Sequence, residues 1–147
     1  MSEGHGAFRA LRFDHVGIAV RNVDSALTFY AGVLGYRVRA GPFDDATQQA
    51  RVVFLAGGPD EPFAIELVAP LGDESHVHRL LERSAGAYHL CYETPDLRTA
   101  IQRLVAAGCL LVRPPAPATA YAGRSIAWLY TPVKQLMELV EAGPSPR

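Results

Sequence analysis

Phe13-Asp14-His15-Val16-Gly17-Ile18-Ala19-Val20 reads as a strand with a histidine near its start. A segment of helical spacing follows from about Asn22 to Leu34, and Gly35 stops it. The same order returns later. Ala87-Tyr88-His89-Leu90-Cys91-Tyr92-Glu93 is a second strand with a histidine near its start, a second helical segment runs from about Asp96 to Ala107, and Gly108 stops it. His15 and His89 are 74 residues apart, and Gly35 and Gly108 are 73 apart. One offset shared by strand, helix and stop signal marks an internal repeat.

Working outward from each copy gives the rest of the order. The first helical segment carries Ala26, Leu27, Tyr30, Val33 and Leu34 on one face, with Asn22 or Asp24 as its cap. Tyr36 to Arg39 alternates apolar and basic residues and is expected as a strand, and Gly41 to Gln48, with Pro42, as a loop. Arg51 to Leu55 and Phe63 to Val68 complete the first set of strands. A short linker helix is expected next, capped by Asp73 or Ser75. In the second half Leu97, Ala100, Ile101, Leu104 and Val105 line the helix. Leu110 to Val112, Ile126 to Tyr130 and Gln135 to Glu141 are strands, and the Pro/Ala-rich stretch from Pro114 to Gly123 is a loop. The order is β-α-β-β-β twice, an α+β architecture in which helices cover one sheet face and leave the other free. Module one spans about 11–70 and module two about 86–141, within a single domain over 1–147. Residues 1–10 are expected as a flexible arm.

Composition fits this reading. The chain has 147 residues, 49% hydrophobic and 20% charged, as in globular domains of this size. A formal net charge of −1 gives no electrostatic case for nucleic acid or an anionic membrane as partner. Met1 to Arg12 has no apolar core, so no signal peptide is expected there, and no apolar run approaches the roughly 20 residues that span a bilayer. Cys91 and Cys109 lie in expected strands and form no CxxC pair. They read as buried thiols of a reducing compartment, which points to the cytoplasm.

Two carboxylates interrupt the apolar strands. Glu66 sits within Ile65-Glu66-Leu67-Val68, and Glu138 within Leu136-Met137-Glu138-Leu139-Val140. They are 72 residues apart, close to the histidine offset. Taken singly, a strand histidine is more often a satisfied core or edge residue than a ligand, and a strand glutamate is more often solvated. Four such residues sharing one offset are a different matter. A carboxylate on a half-buried strand is costly unless paired or coordinated. Two neutral imidazoles and two carboxylates around one centre make a divalent-metal site, with room left for water or substrate.

Other candidates carry less. His76 and His78, two apart on a helix, share no face and read as surface residues. Asp14 and Tyr88 precede the two histidines, so strict alternation sends them to the opposite sheet face. Tyr121, Gly123 and Arg124 read as an ordinary turn with a surface arginine, or as a contact for an anionic substrate. Trp128 and Tyr130 line a cleft or pack the core.

At these residues the chain resembles the vicinal oxygen chelate superfamily, which includes glyoxalase I and methylmalonyl-CoA epimerase. The matching stretches are DHVGIAV with the helix after it, IELVAPLGDES, YHLCYETPDLRTAIQRLVAAG and LMELVE, which together reach from Phe13 to Glu141. The middle stretches look most like the epimerases. The resemblance implies a glyoxalase-like fold in which two βαβββ modules form a cleft. It implies one divalent ion (cobalt, zinc, nickel, manganese or iron) on His15, Glu66, His89 and Glu138. It also implies proton abstraction next to a carbonyl of a small-molecule substrate, an acyl thioester, with a homodimer as the common assembly. Glu138 is the first choice as the base and Glu66 the second. Glyoxalase I-type isomerisation (a lactoylglutathione lyase), ring-cleaving dioxygenation and small-molecule sequestration are the alternatives within the same superfamily. Three departures from the epimerase pattern stand out: a gapless match puts Val53 where bacterial epimerases carry a third-strand glutamate, the Gly-rich basic segment is reduced to Ala122-Gly123-Arg124, and the turn Thr131 to Gln135 is short.

Overall fold

A computed structural model describes residues 11–57, 64–83 and 86–143. The expected arm over 1–10 and the start of the fourth strand at Phe63 lie outside the described residues. Each half begins with the strand that carries its histidine: β1 is Arg12–Ala19 and β5 is Ala87–Thr94. A helix follows each, α1 (Val23–Tyr30) and α3 (Leu97–Ala106). Three strands complete each half: β2 (Arg37–Asp45), β3 (Ala50–Ala56) and β4 (Ala64–Pro70) in the first, and β6 (Leu110–Pro117), β7 (Ser125–Tyr130) and β8 (Leu136–Glu141) in the second. The short helix α2 (Val77–Glu82) lies between the halves, and a 3₁₀ turn, Thr119–Tyr121, joins β6 to β7.

Short polar side chains start both main helices. Asn22 Oδ1 accepts from the Ser25 N–H at 2.9 Å, and Asp96 Oδ1 accepts from the Thr99 N–H at 3.1 Å. Of the two candidate caps of α1, Asn22 is the one in place. The helix ends at Tyr30, earlier than its spacing suggested, and continues as hydrogen-bonded turns to Leu34. Gly35 and Gly108 then take left-handed backbone (φ 82° and 107°), which glycine adopts without steric cost.

The eight strands among the described residues form one sheet in the order β2-β3-β4-β1-β5-β8-β7-β6. Within each half the first strand runs parallel to the last, β1 to β4 and β5 to β8, and the halves join where β1 meets β5 antiparallel. The repeat in sequence is thus a repeat in space, centred on the two histidine strands. Alternation then sorts the side chains into two faces. Val53, Leu55, Ile65 and Leu67 pack with Val23 of α1, and Ala127, Leu129 and Leu139 with Leu97, Ala100 and Leu104 of α3. Val52, Phe54, Val68, Ile126 and Val140 belong to the core on the other face, which faces the cleft.

The two edge strands run longer than their sequences suggested. β2 continues through Gly41 and Pro42 to Asp45, and β6 through Pro114 and Pro115 to Pro117. Register shifts absorb the irregular residues in both. Proline lacks a donor, and an edge strand or a bulge is where that loss is tolerated. No helix among the described residues is long and apolar enough to cross a membrane.

Candidate metal centre

Strand register brings the four singled-out residues together. Glu66 on β4 stands beside Gly17 on β1, and Gly17 in turn stands beside His89 on β5. Glu138 on β8 stands beside Cys91 on β5, and Cys91 beside His15 on β1. Two rows therefore cross the middle of the sheet, Glu66–Gly17–His89 and Glu138–Cys91–His15. Each carries one glutamate from one half and one histidine from the other, with a small residue between them. The arrangement needs both halves, because neither row is complete within one.

All four side chains are buried. His15 Nε2 lies 3.1 Å from His89 Nε2, 3.2 Å from Glu66 Oε1 and 3.3 Å from Glu138 Oε1. His89 Nε2 lies 3.3 Å from each of the same two oxygens. Such separations are those of donor atoms about 2.0–2.3 Å from a common centre.

The electrostatics point the same way. Burial alone would press both carboxylates toward the neutral acid; the facing imidazoles overcome it, holding Glu66 down at about 2 and Glu138 below its usual value. Burial likewise works against a charged His89, yet the facing carboxylates of Glu138 and Glu66 raise it. For His15 burial is opposed by Cys91, Glu66 and Asp14, and the net direction is up. Burial keeps the Cys91 thiol protonated, so the carboxylates are the charges that act on His15. A field that favours positive charge on two imidazoles also favours a cation between them.

The donor set passes a stricter test. Asp14 Oδ2 lies 2.8 Å from His15 Nδ1, which places the ring proton there and leaves a lone pair on Nε2. That lone pair and two carboxylate oxygens then converge, and Glu138 Oε1 has no hydrogen-bond partner among the described residues. A buried acceptor without a donor is costly, and a divalent ion removes the cost. Nitrogen and oxygen ligands of this kind suit cobalt, zinc, nickel, manganese or iron.

The two histidines are held differently. Tyr121 OH reaches His15 Nδ1 at 3.2 Å and Asp14 Oδ2 at 3.4 Å, so His15 sits in a polar cradle. His89 is held by shape. Tyr88 and Trp128 meet its ring edge-on, with centroids 4.5 Å and 4.9 Å away, and the ring occupies the space where a side chain on Gly17 would begin.

Several expectations are corrected here. Asp14 and Tyr88 do not point away from the site. Each is the extra residue of a β-bulge: Asp14 falls between the pairs Phe13–Tyr92 and His15–Cys91, and Tyr88 between Gly17–His89 and Ile18–Ala87. A bulge interrupts the alternation and re-aims the side chain beside it. Tyr121 is buried against His15 and is no surface turn residue. Arg124 lies outside the cleft, donating to the Glu141 carbonyl at 2.7 Å and stacked 5.4 Å from the Tyr121 ring centre. His76 and His78 are both exposed, as expected; His76 also lines the cleft, and His78 contacts the Gly72 carbonyl. Trp128 lines the cleft. Val53 lies under α1, so the gapless match is off by one face; the positions of β3 that face the cleft are Ala50, Val52 and Phe54, and none is an acid.

The cleft opens to solvent, floored by Glu66, His89 and Glu138 and walled by Asp45, Tyr88 and Trp128. A second groove adjoins it past His76, Tyr88 and Trp128 and carries Arg113.

This fold and site agree with what comparison finds. Residues 14–128 match the family described as the glyoxalase/bleomycin resistance protein/dioxygenase superfamily, and the chain belongs to it. Among its relatives, the ethylmalonyl-CoA/methylmalonyl-CoA epimerase of Cereibacter sphaeroides is 32% identical over 121 residues, covering 81% of this chain and 87% of the relative. The structure of methylmalonyl-CoA epimerase from Mycobacterium tuberculosis superposes with a TM-score of 0.77 at 32% identity, covering 90% of this chain and 89% of that one. A hypothetical protein from Bacillus halodurans superposes with a TM-score of 0.81 at 26% identity, covering 94% of this chain and 99% of that one.

Proposed function

We propose that this chain is a metal-dependent epimerase that removes and returns the proton α to the carbonyl of a methylmalonyl-type acyl thioester. The observation that carries the proposal is the convergence of two buried imidazoles and two buried carboxylates at the floor of an open cleft. The epimerase relatives support it. His15, Glu66, His89 and Glu138 are the residues that would hold the ion. When bound, a divalent ion supplies Lewis-acid stabilisation of the enolate oxygen.

The chain's residues account for the remaining steps. Glu138 is assigned as the base: its Oε1 lacks a hydrogen-bond partner among the described residues. The α C–H bond breaks, the proton passes to the carboxylate, and the electron pair moves into the thioester enolate. Return of a proton to the opposite face from a second acid, for which Glu66 is the other carboxyl at the floor, inverts the centre, and the proton on Glu138 passes to solvent. Asp14 keeps the His15 ring proton away from the site, and the apolar walls Val52, Val68 and Ile126 limit water. The adjoining groove with Arg113 leaves room for the carrier end of the thioester. Modules 11–70 and 86–141 would act as one unit in a single domain; the two buried thiols point to the cytoplasm, and by family resemblance the enzyme would be a homodimer.

Exchange in D₂O tests the reaction. Metal-loaded protein should place deuterium at the α-carbon of methylmalonyl-CoA, and Glu138→Gln should abolish this. Conversion of a 2-oxoaldehyde thiohemiacetal, with no exchange over a panel of malonyl-type thioesters, would favour glyoxalase I-type isomerisation. Oxygen consumption would favour a dioxygenase.

A further inference from the structure

The bulge that turns Tyr88 toward the cleft leaves a phenol hydroxyl that the fold does not use. Tyr121, the other tyrosine at the site, has its hydroxyl engaged by Asp14 and His15. The Tyr88 hydroxyl has no hydrogen-bond partner among the described residues. Its ring meets His89 with centroids 4.5 Å apart, and the residue lines both the cleft and the adjoining groove. It therefore stands where a ligand passes from the metal-binding floor to the groove.

The cleft wall is rich in carboxylates, and Gln48, His76 and Trp128 are other polar side chains along it. Glu66, Glu138 and Asp45 all line it. Asp45 already accepts from the Gln48 and Thr119 N–H groups, at 3.0 and 3.3 Å. A ligand carboxylate entering this wall meets negative neighbours, and the charge of a divalent ion is balanced by the two glutamates that hold it. A hydroxyl donor beside the floor offsets that repulsion, and a hydrogen bond to a charged oxygen is stronger than one to a neutral oxygen.

We propose that Tyr88 is a substrate-contacting, specificity-determining residue, its hydroxyl donating a hydrogen bond to the carboxylate of a 2-carboxyacyl thioester. The proposal rests on the epimerase reading above and adds the means by which the site distinguishes carboxylated acyl groups from plain ones. A phenol is un-ionised near neutral pH, so the hydroxyl carries the proton it donates.

The test is Tyr88→Phe in the full chain, loaded with metal. The ring, and so the packing on His89, is kept, and only the hydroxyl is lost. A malonyl thioester should bind roughly tenfold to a hundredfold more weakly than to the parent. An acetyl thioester on the same carrier, which lacks the carboxylate, should bind both proteins alike, and metal affinity and melting temperature should stay at parental values. Unchanged malonyl binding would overturn the proposal. So would an equal loss for both thioesters, or a parallel loss of metal affinity, which would make Tyr88 a packing residue for His89. A metal-loaded parent that binds no malonyl thioester would overturn the epimerase reading and this inference with it, and that outcome is visible before any variant is made.

Discussion

A methyl group on Gly17 would fall within the His89 ring, and both lie on the central pair of strands, where the backbone has little freedom to yield. Gly17→Ala should therefore displace the imidazole. The expected result is a drop in metal affinity of at least about tenfold, the scale of disturbed ligand support, with little change in far-UV circular dichroism. Titration with a divalent ion measures it; parental affinity would show that His89 is not held this way. His89→Ala should remove metal binding outright while soluble, folded protein is still recovered, since the ring borders the cleft and is not part of the main apolar clusters. A variant that fails to fold would assign His89 a structural role instead. Protons and metal compete for the same nitrogens. His15 and His89 are raised above their ordinary value of 6.5, so in the metal-free protein their contribution to stability is complete below that value and is lost as pH rises through the folded-state values. Metal binding runs in the opposite direction. The rise in melting temperature on adding a divalent ion should be larger near about pH 8 than near about pH 6. A rise that is equal at both, or larger in acid, would contradict the assignment of the histidines as ligands.

At the scale of elements, the two helices scaffold the site without touching it. Asn22→Ala removes the cap of α1 and should cost about 1 kcal/mol of stability in denaturant unfolding. Metal affinity should be unchanged, because the cap lies on the covered side of the sheet. A loss of affinity would mean that α1 positions the cleft directly. The helices, their stops and most strands were legible in sequence because each follows from a local rule: spacing, capping residue, glycine. Departures arise where a strand breaks its own rule. Strict alternation sends Asp14 and Tyr88 away from the site, but each is the extra residue of a bulge, and a bulge depends on how two distant strands pair. Proline-rich stretches read as loops, yet β2 and β6 extend through them because they form the sheet edges, a fact known only from the strand order. Val53 was matched to the cleft by counting along the chain; a shift of one residue in a strand exchanges the faces.

At the scale of the molecule, the repeat explains why the site lies at the centre. Each half places a histidine on its first strand and a glutamate on its last, and the pairing of β1 with β5 brings the four together. The common offset made the quartet legible in one sequence. The surroundings were not legible: Tyr121 reaches His15 across 106 residues of chain, with no periodic signal to announce it. A centre assembled from both halves would hold one ion per chain, and the chemistry proposed needs that ion. The most direct measurement strips the protein with a chelator, returns a divalent metal stepwise, and follows deuterium entering the α-carbon of methylmalonyl-CoA in D₂O. Exchange should be absent at first, rise with each addition and level off at one ion per chain. Exchange that proceeds without metal, or none at all once one ion per chain is bound, would contradict the account.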